Sequence, residues 1–174
     1  MLNPEMPHKG MDRREYLERK FGGKEGADRV YGAIKIAAKD LGIAIDFDKI
    51  TQTPSTVLAH IALRESQVFD CDIEKVDIFA RSLFAAYFEK GLDLGQRDQI
   101  IDIWQSSGFD PTRLERAIDE GHHKAEIFDE HRAARDRGIT GVPFFIVNGT
   151  YALSGAQDKA ALNRVFDLLN QKAA

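Results

Sequence analysis

The chain contains 174 residues, and its hydrophobic fraction of 43% is sufficient for one folded domain, which excludes an intrinsically disordered protein. Its formal net charge of −4 comes from interspersed acidic and basic residues, so no charged run predicts a nucleic-acid partner. No apolar run approaches the roughly 20 residues of a membrane helix, and the N-terminus has no secretory pattern, so we expect a cytoplasmic protein without a membrane partner.

The first two predicted elements are helices. Asp12 and Glu15 have the spacing of a capping box, which predicts a helix over residues 12–21. A second helix is predicted over residues 24–41, with Gly42 as its stop. Its apolar face is expected to comprise Val30, Ile34, Ala37, Ala38 and Leu41.

Helices continue through the middle of the chain. Thr53 before Pro54 predicts a helix start, because a hydroxyl can cap the helix while proline takes its first position. Further helices are predicted over residues 72–90, 96–107, 110–120 and 122–137. The helix over residues 72–90 is expected to be central, with apolar positions at Val76, Phe79, Leu83, Ala86 and Tyr87. Its other aromatic residues, Phe84 and Phe88, are interpreted as core, with a substrate groove as the alternative.

The pattern changes near the C-terminus from helices to a β-hairpin. Residues 144–147 form an apolar run, Asn148-Gly149 has the composition of a two-residue hairpin turn, and residues 150–154 form the returning strand. Pro143 stands at the mouth of the first strand, where its missing N–H is tolerated. An amphipathic helix over residues 158–171 closes the chain.

The cysteine and histidine residues restrict the redox and metal chemistry that this sequence can support. Cys71 is the only cysteine, which excludes an internal disulfide, a CxxC motif and a thiolate zinc site within this sequence. We interpret Cys71 as a small hydrophobe, with a lone reactive thiol as the alternative. One predicted helix carries His122, His123, Glu126, Glu130 and His131. These residues lack the HExxH order and are interpreted as a solvated face, so we predict neither a metal nor a cofactor.

Residues 138–157, GITGVPFFIVNGTYALSGAQ, place a helix stop, a tight Gly-Val-Pro turn and a hairpin in direct succession. This segment resembles the DsbA-like branch of the thioredoxin superfamily, and more narrowly the FrnE-type oxidoreductases, in its GVPFF turn, its hairpin and its SGAQ. The lead LNPEMP with MDRREYL, the TPST segment and AYFEKGLDLG are similar to the same group, so the resemblance spans nearly the whole chain. It implies an α/β, mostly helical, thioredoxin-like fold with a large helical insertion.

The resemblance also implies a domain organisation. Residues 1–174 would form a single DsbA-like domain, in which residues 1–137 supply the lead and the helical insertion and residues 138–174 supply the C-terminal thioredoxin half. Family members carry a strand, a CxxC helix and a second strand before an LNPEMP-like lead, and in this sequence that N-terminal strand-helix-strand is absent. We therefore expect that Met1 is not the natural beginning and that an export signal could be lost with the missing part.

The turn before the hairpin acquires a role from the same resemblance. Pro143 would be the catalytic cis-proline of the family, and the main chain of Val142 would pair with an extended substrate, with Thr140 and Gly141 beside it. Cys71 would lie in the helical insertion, remote from Pro143. The missing strand would leave an edge of the hairpin open, which favours a homodimer by strand addition or completion by another polypeptide.

Three functions follow from these expectations. The leading one is a thiol-disulfide oxidoreductase, similar to protein disulfide isomerases and acting on proteins or small thiols, but without its own redox dithiol, which leaves open whether the chain is an active enzyme. The second is a non-redox peptide-binding or chaperone-like protein. The third is a relative of the glutathione-dependent 2-hydroxychromene-2-carboxylate isomerases and kappa-class transferases, which share the insertion and a Val-Pro turn.

Overall fold

The computed structural model describes residue 3 and residues 6–69 and 72–173, and Cys71 lies outside these residues. The chain divides into two compact units between Ile127 and Phe128. Within the described ranges, no helix is both long enough and apolar enough to cross a membrane. The predicted organisation as one domain, with its internal boundary before Gly138, stays a prediction.

Helices build most of the first unit, and local capping groups determine where several of them begin. In chain order the helices are α1 Arg13–Phe21, α2 Lys24–Asp40, α3 Val57–Phe69, α4 Ile73–Phe88, α5 Arg97–Ser106, α6 Pro111–Asp119 and α7 Lys124–Asp136, the last of which spans the division between the units. The Asp12 carboxylate accepts hydrogen bonds from the N–H groups of Arg14 and Glu15 at 2.9 and 3.1 Å, which confirms the predicted cap. Asp110 caps α6 in the same way, with Pro111 at the first helical position.

A short antiparallel pair ties the start of the chain to the segment before α3. β1, Met11–Asp12, pairs with β2, Gln52–Thr53, and the sequence predicted neither strand. The predicted helix start at Thr53 is wrong, because Thr53 belongs to β2 and α3 begins at Val57. The Thr53 hydroxyl accepts a hydrogen bond from Arg13 Nη1 at 3.2 Å, so a tertiary contact uses the side chain that the sequence assigned to a cap.

The core of the first unit is built around α4. Phe79, at the middle of this helix, is fully buried, which confirms the predicted central helix. Trp104 of α5 packs against Phe79 and Phe109, with ring centroids 5.4 and 4.3 Å away. The Trp104 Nε1–H donates to the carbonyl of Asp110 at 2.8 Å, so this buried indole keeps its hydrogen bond. Other buried members of the cluster are Ala59, Ala62, Leu83, Ala86, Leu94, Ile100 and Leu114.

The apolar face predicted for α2 is wrong in most of its members. Val30 and Ile34 are 45% and 42% exposed and Leu41 is 76% exposed, whereas Ala38 is buried. Ala27, outside the predicted face, is also buried. Among the described residues, α2 packs extensively only on α1. The buried residues of α2 are therefore two alanines, and all three longer side chains of the predicted face remain exposed to water.

The second unit contains a hairpin and the final helix. β3, Phe144–Val147, pairs antiparallel with β4, Tyr151–Ser154, which confirms the predicted hairpin. Asn148 and Gly149 take positive φ values of 51° and 65°, the left-handed conformations that a tight Asn-Gly turn requires. The last helix is α8, Lys159–Ala173.

The second unit lacks a buried core among its described residues. No residue between 128 and 170 is buried, and Phe166 of α8 is 51% exposed. The two strands of the hairpin form the only extensive packing between elements described in this unit. A lone two-stranded hairpin is marginally stable in water. A further strand or layer would cover the apolar surface that this unit exposes.

Candidate functional site

The residues predicted to bind substrate form one exposed turn at the start of β3. Thr140, Gly141, Val142 and Pro143 are consecutive in the chain, and all four are exposed to solvent. Val142 is 62% exposed, so an apolar side chain is available to a ligand. The Val142-Pro143 peptide bond is cis, which is the isomer that the family resemblance implies. The roles assigned to these four residues stay predictions.

One hydrogen bond joins the turn to the hairpin, and two others brace the end of β4 beside it. The Gly155 N–H donates to the carbonyl of Pro143 at 2.9 Å, which fixes the start of β3 against the end of β4. The side-chain amide of Gln157 donates to the carbonyls of Ser154 and Gly155 at 2.8 and 3.3 Å. The SGAQ segment therefore has a local structural function, because its glutamine clamps the end of β4 opposite Pro143.

One side of the hairpin carries a shallow depression of about 240 Å³. Phe144, Ile146, Tyr151 and Ala152 line it, with Arg137 as a charged member. Ile146 and Ala152 are cross-strand partners, so both strands contribute to its floor. This mainly apolar lining suits the side chains of an extended polypeptide better than a highly charged cofactor.

The structure tests the prediction for the histidine-bearing helix but not the prediction for Cys71. Cys71 lies outside the described residues, so its predicted burial and its remoteness from Pro143 stay predictions. The single helical face predicted for the histidines is wrong, because His122 and His123 precede α7, which begins at Lys124. His123 has a φ of +61°, a left-handed conformation that an α-helix does not continue through. Among residues 6–69 and 72–173, no three His, Asp or Glu side chains group as a metal site requires.

A buried ionic cluster that the sequence did not predict joins α3, α6 and the turn before α7. The Glu65 side chain is 6% exposed, and its two oxygens lie 2.7 Å from Arg113 Nε and 2.7 Å from His123 Nε2. The Arg113 Nε–H does not point at the oxygen, so that contact is an ion pair without a hydrogen bond. The Arg113 guanidinium also lies 3.4 Å from the centre of the Phe69 ring, as in a cation-π contact.

The arrangement of this ionic cluster indicates a structural role. Two nitrogenous groups from different parts of the chain surround one buried carboxylate, which offsets the cost of removing that charge from water. The sequence does contain a weak signal for it, because Glu65 follows Ile61 by one turn on the buried face of α3. A charged residue at such a position is rarely buried without a partner. The sequence does not indicate which residues pair with Glu65, since His123 is 58 residues away along the chain.

A concave site of about 450 Å³ lies in the first unit beside α1 and α2. Arg13 lines this cleft, and its guanidinium donates to the hydroxyls of Thr53 and Tyr31 at 3.2 and 3.0 Å. The same guanidinium lies 5.5 and 5.4 Å from the ring centres of Tyr16 and Tyr31. Burial raises the pKa of Tyr87 above its ordinary value, so this neighbouring phenol stays neutral. These contacts engage both terminal nitrogens of the guanidinium, so we assign Arg13 a structural role.

A mostly helical unit followed by a cis-proline turn, a β-hairpin and a terminal helix defines a thioredoxin-like protein with a DsbA-type helical insertion. The chain belongs to the DSBA-like thioredoxin domain family, which it matches over residues 1–167. This membership confirms the predicted α/β, mostly helical, thioredoxin-like fold.

One solved structure illustrates the fold. The structure of a putative protein disulfide isomerase from Nitrosomonas europaea is similar with a TM-score of 0.70 and 14% sequence identity, over 92% of this chain and 89% of that chain. At this identity the likeness shows the fold alone. No curated protein sequence matches the chain.

Proposed function

We propose that the chain supplies the polypeptide-docking part of a DsbA-family thiol-disulfide oxidoreductase of the FrnE type. The observation that carries the proposal is the exposed Val142, which precedes Pro143 in a chain of this family. An extended substrate would pair its main chain with the amide and carbonyl of Val142, and Thr140 and Gly141 would border the same surface. The apolar depression on the hairpin would accept substrate side chains.

The thiol chemistry itself needs groups that this sequence does not contain. Attack of a thiolate on a substrate disulfide forms a mixed disulfide and releases one substrate thiolate. A second protein thiol must then attack the mixed disulfide, which releases the other substrate thiol and leaves a protein disulfide. The sequence has one cysteine, so Cys71 alone cannot complete this cycle. In the proposal, a CxxC dithiol outside this sequence completes it.

The docking surface can be tested by a substitution at Val142. Val142→Asp should weaken binding of a fluorescently labelled, reduced and alkylated insulin chain at least about tenfold, because a carboxylate disfavours strand pairing and resists desolvation beside substrate carbonyls. Fluorescence anisotropy measures the dissociation constant. Val68→Asp is the matched control, because Val68 on α3 is also 62% exposed. If the two substitutions weaken binding equally, or if neither does, Val142 is not the docking residue.

The redox behaviour of the chain alone gives a second test. We expect no acceleration of insulin reduction by dithiothreitol, and we expect the parent chain and Cys71→Ser to give the same rate, since one thiol cannot resolve its own mixed disulfide. Turbidity of the precipitating insulin chains measures the rate. Turnover that depends on Cys71 would refute the assignment of the dithiol to another segment.

The lone cysteine also favours a second candidate, a non-redox peptide-binding or chaperone-like protein that uses the same turn. Both candidates bind the insulin chain, so binding alone does not separate them. A fusion that places the CxxC segment of a family member before this chain separates the two candidates. If the chain belongs to an oxidoreductase, the fusion gains turnover that depends on the added cysteines. If the chain is a non-redox binder, the fusion gains no turnover.

A further inference from the structure

The cleft beside α1 and α2, called here the α1–α2 cleft, has an apolar floor within a charged rim. All of its lining residues lie between Asp12 and Thr51, in the first unit. The floor includes Leu17 and the buried Ala27 and Ile50, which are 1% and 4% exposed. The volume of about 450 Å³ is typical of small-molecule sites. The cleft can therefore hold the apolar body of a small ligand.

Most of the carboxylates on the rim are already compensated by the protein. The Asp12 carboxylate caps α1, where the helix dipole favours a negative charge. Asp28 lies 2.6 Å from Lys24 Nζ. Asp48 lies 3.5 Å from Lys35 Nζ. These three acidic residues therefore have positive groups beside them and do not require a cationic ligand.

Two arginines at the start of α1 lack a comparable counter-charge. Arg13 is partly buried, and its guanidinium donates to the hydroxyls of Thr53 and Tyr31, which carry no charge. Arg14 also lines the cleft. Neither guanidinium forms an ion pair with a carboxylate in the part of the chain that the structure describes. A partly buried cation is stabilised by a counter-charge, and a bound anion would supply it.

Glu18 limits how much negative charge the cleft can accept. It lies one helical turn after Arg14 and lines the same cleft. A Cβ atom on Gly23 would lie 2.7 Å from Glu18 Oε2, so this carboxylate rests against the start of α2. Within residues 6–69 and 72–173, the Glu18 carboxylate has neither an ion pair nor a hydrogen bond. The two guanidinium charges and this carboxylate leave a net charge of +1, which matches a monoanion.

We propose that the α1–α2 cleft binds a small apolar monocarboxylate, whose apolar body lies on the floor and whose carboxylate contacts the Arg14 guanidinium. Arg14 makes the contact because its guanidinium has no described hydrogen-bond partner, whereas both terminal nitrogens of Arg13 are engaged. Arg13 adds its fixed charge at longer range, and Glu18 disfavours a second carboxylate on the ligand. The site uses neither Val142 nor a thiol, so it is independent of the docking proposal.

Calorimetric titration of the full chain with phenylbutyrate provides the first test. We expect saturable binding at one site, with a dissociation constant at or below about 1 mM. Phenylbutyramide has a similar shape without the charge and should bind at least about tenfold more weakly. The absence of saturable binding, or equal binding of the acid and the amide, would overturn the proposal.

The para-carboxylated derivative of phenylbutyrate tests the limit on ligand charge. The parent chain should bind this dicarboxylate at least about fivefold more weakly than phenylbutyrate, because the second carboxylate meets Glu18. Glu18→Gln should narrow the difference at least about threefold, since it removes the like charge and keeps the side-chain size. Equal affinities in the parent chain, or a difference that Glu18→Gln leaves intact, would refute the selection of a monoanion.

A pair of arginine substitutions tests the contact residue. Arg14→Gln should raise the dissociation constant of phenylbutyrate at least about tenfold, because it removes a charge-assisted hydrogen bond to the ligand. Arg29→Gln is the matched control, because Arg29 on α2 is also exposed and does not line the cleft. Circular dichroism checks that both variants keep their helices. Equal effects of the two substitutions, or no effect of either, would overturn the assignment of Arg14.

Amide chemical shifts of the parent chain locate the ligand without any substitution, which covers the case of a variant that fails to fold. Titration with phenylbutyrate should shift the amide signals of Leu17, Ala27 and Ile50, which line the cleft. The signals of Ile100 and Leu114, in the core around α4, should stay unchanged. Shifts confined to residues outside the cleft would place the ligand elsewhere and overturn the proposal.

Discussion

Phe79→Ala is expected to lower the free energy of unfolding by about 4 kcal/mol, whereas Phe84→Ala on the same helix should change it by less than about 1 kcal/mol. Phe79 is 0% exposed and makes edge contacts with the rings of Trp104 and Phe109 at 5.4 and 5.8 Å. Removing its ring leaves a cavity that these neighbours fill only in part. Phe84 is 65% exposed, so its ring is already largely in water.

Urea denaturation measures both changes. Far-ultraviolet circular dichroism follows the helices, and the fluorescence of Trp104, the single tryptophan of the chain, reports on the contact with Phe79. Coincident transitions by the two probes would support the use of one unfolding free energy for each variant. Similar losses for Phe79→Ala and Phe84→Ala would show that Phe79 does not lie at the centre of the core.

Arg113→Met is expected to lower the free energy of unfolding by about 3 kcal/mol, because it removes the main cation beside a buried carboxylate. Glu65 keeps His123 at 2.7 Å, but a single imidazole compensates the buried charge less well than the observed pair of groups. Methionine preserves much of the arginine volume and so limits the loss of packing on Phe69. The same urea titration measures the loss.

Two further variants separate the effect of charge burial on stability from the effect of losing an ion pair. Arg97→Met breaks an ion pair with Asp119 in which the side chains are 39% and 60% exposed, and it should cost less than about 1 kcal/mol. The double variant Glu65→Met with Arg113→Met should recover most of the loss, because an apolar pair replaces a buried ion pair at little cost. Equal losses for Arg113→Met and Arg97→Met would contradict the role assigned to the buried cluster.

The part of the fold that the sequence predicted correctly depends on contacts between near neighbours in the chain. Asp12 caps α1 through N–H groups two and three residues away, and the Asn148-Gly149 turn needs only the left-handed conformations of its own two residues. The family motif is also short: the cis bond at Pro143 is the isomer that the resemblance implied, and the Gln157 clamp, which was not predicted, lies in the same segment. Local chemistry specifies the cap and the Asn-Gly turn wherever their segments are placed.

The predictions from sequence were wrong where a residue was compatible with two structures and a contact with a residue distant in the chain determined which structure formed. Thr53 could cap a helix, but pairing with Met11 and a hydrogen bond from Arg13, 40 residues away, made it a strand residue. The apolar face of α2 satisfied helical periodicity, yet periodicity does not reveal whether a neighbour exists to cover Val30 and Ile34.

By itself, the sequence determined the thioredoxin-like family, the order of helices and hairpin, the position of the exposed turn at Val142 and the presence of only one thiol. Each of these follows from local hydrogen bonding, short motifs or a count of residues. Only the tertiary structure decided that Glu65 is buried between Arg113 and His123. It also showed that the second unit leaves the β3 edge and its apolar surface without a described partner. Burial and strand pairing depend on what lies alongside a residue in space, and linear spacing does not encode that.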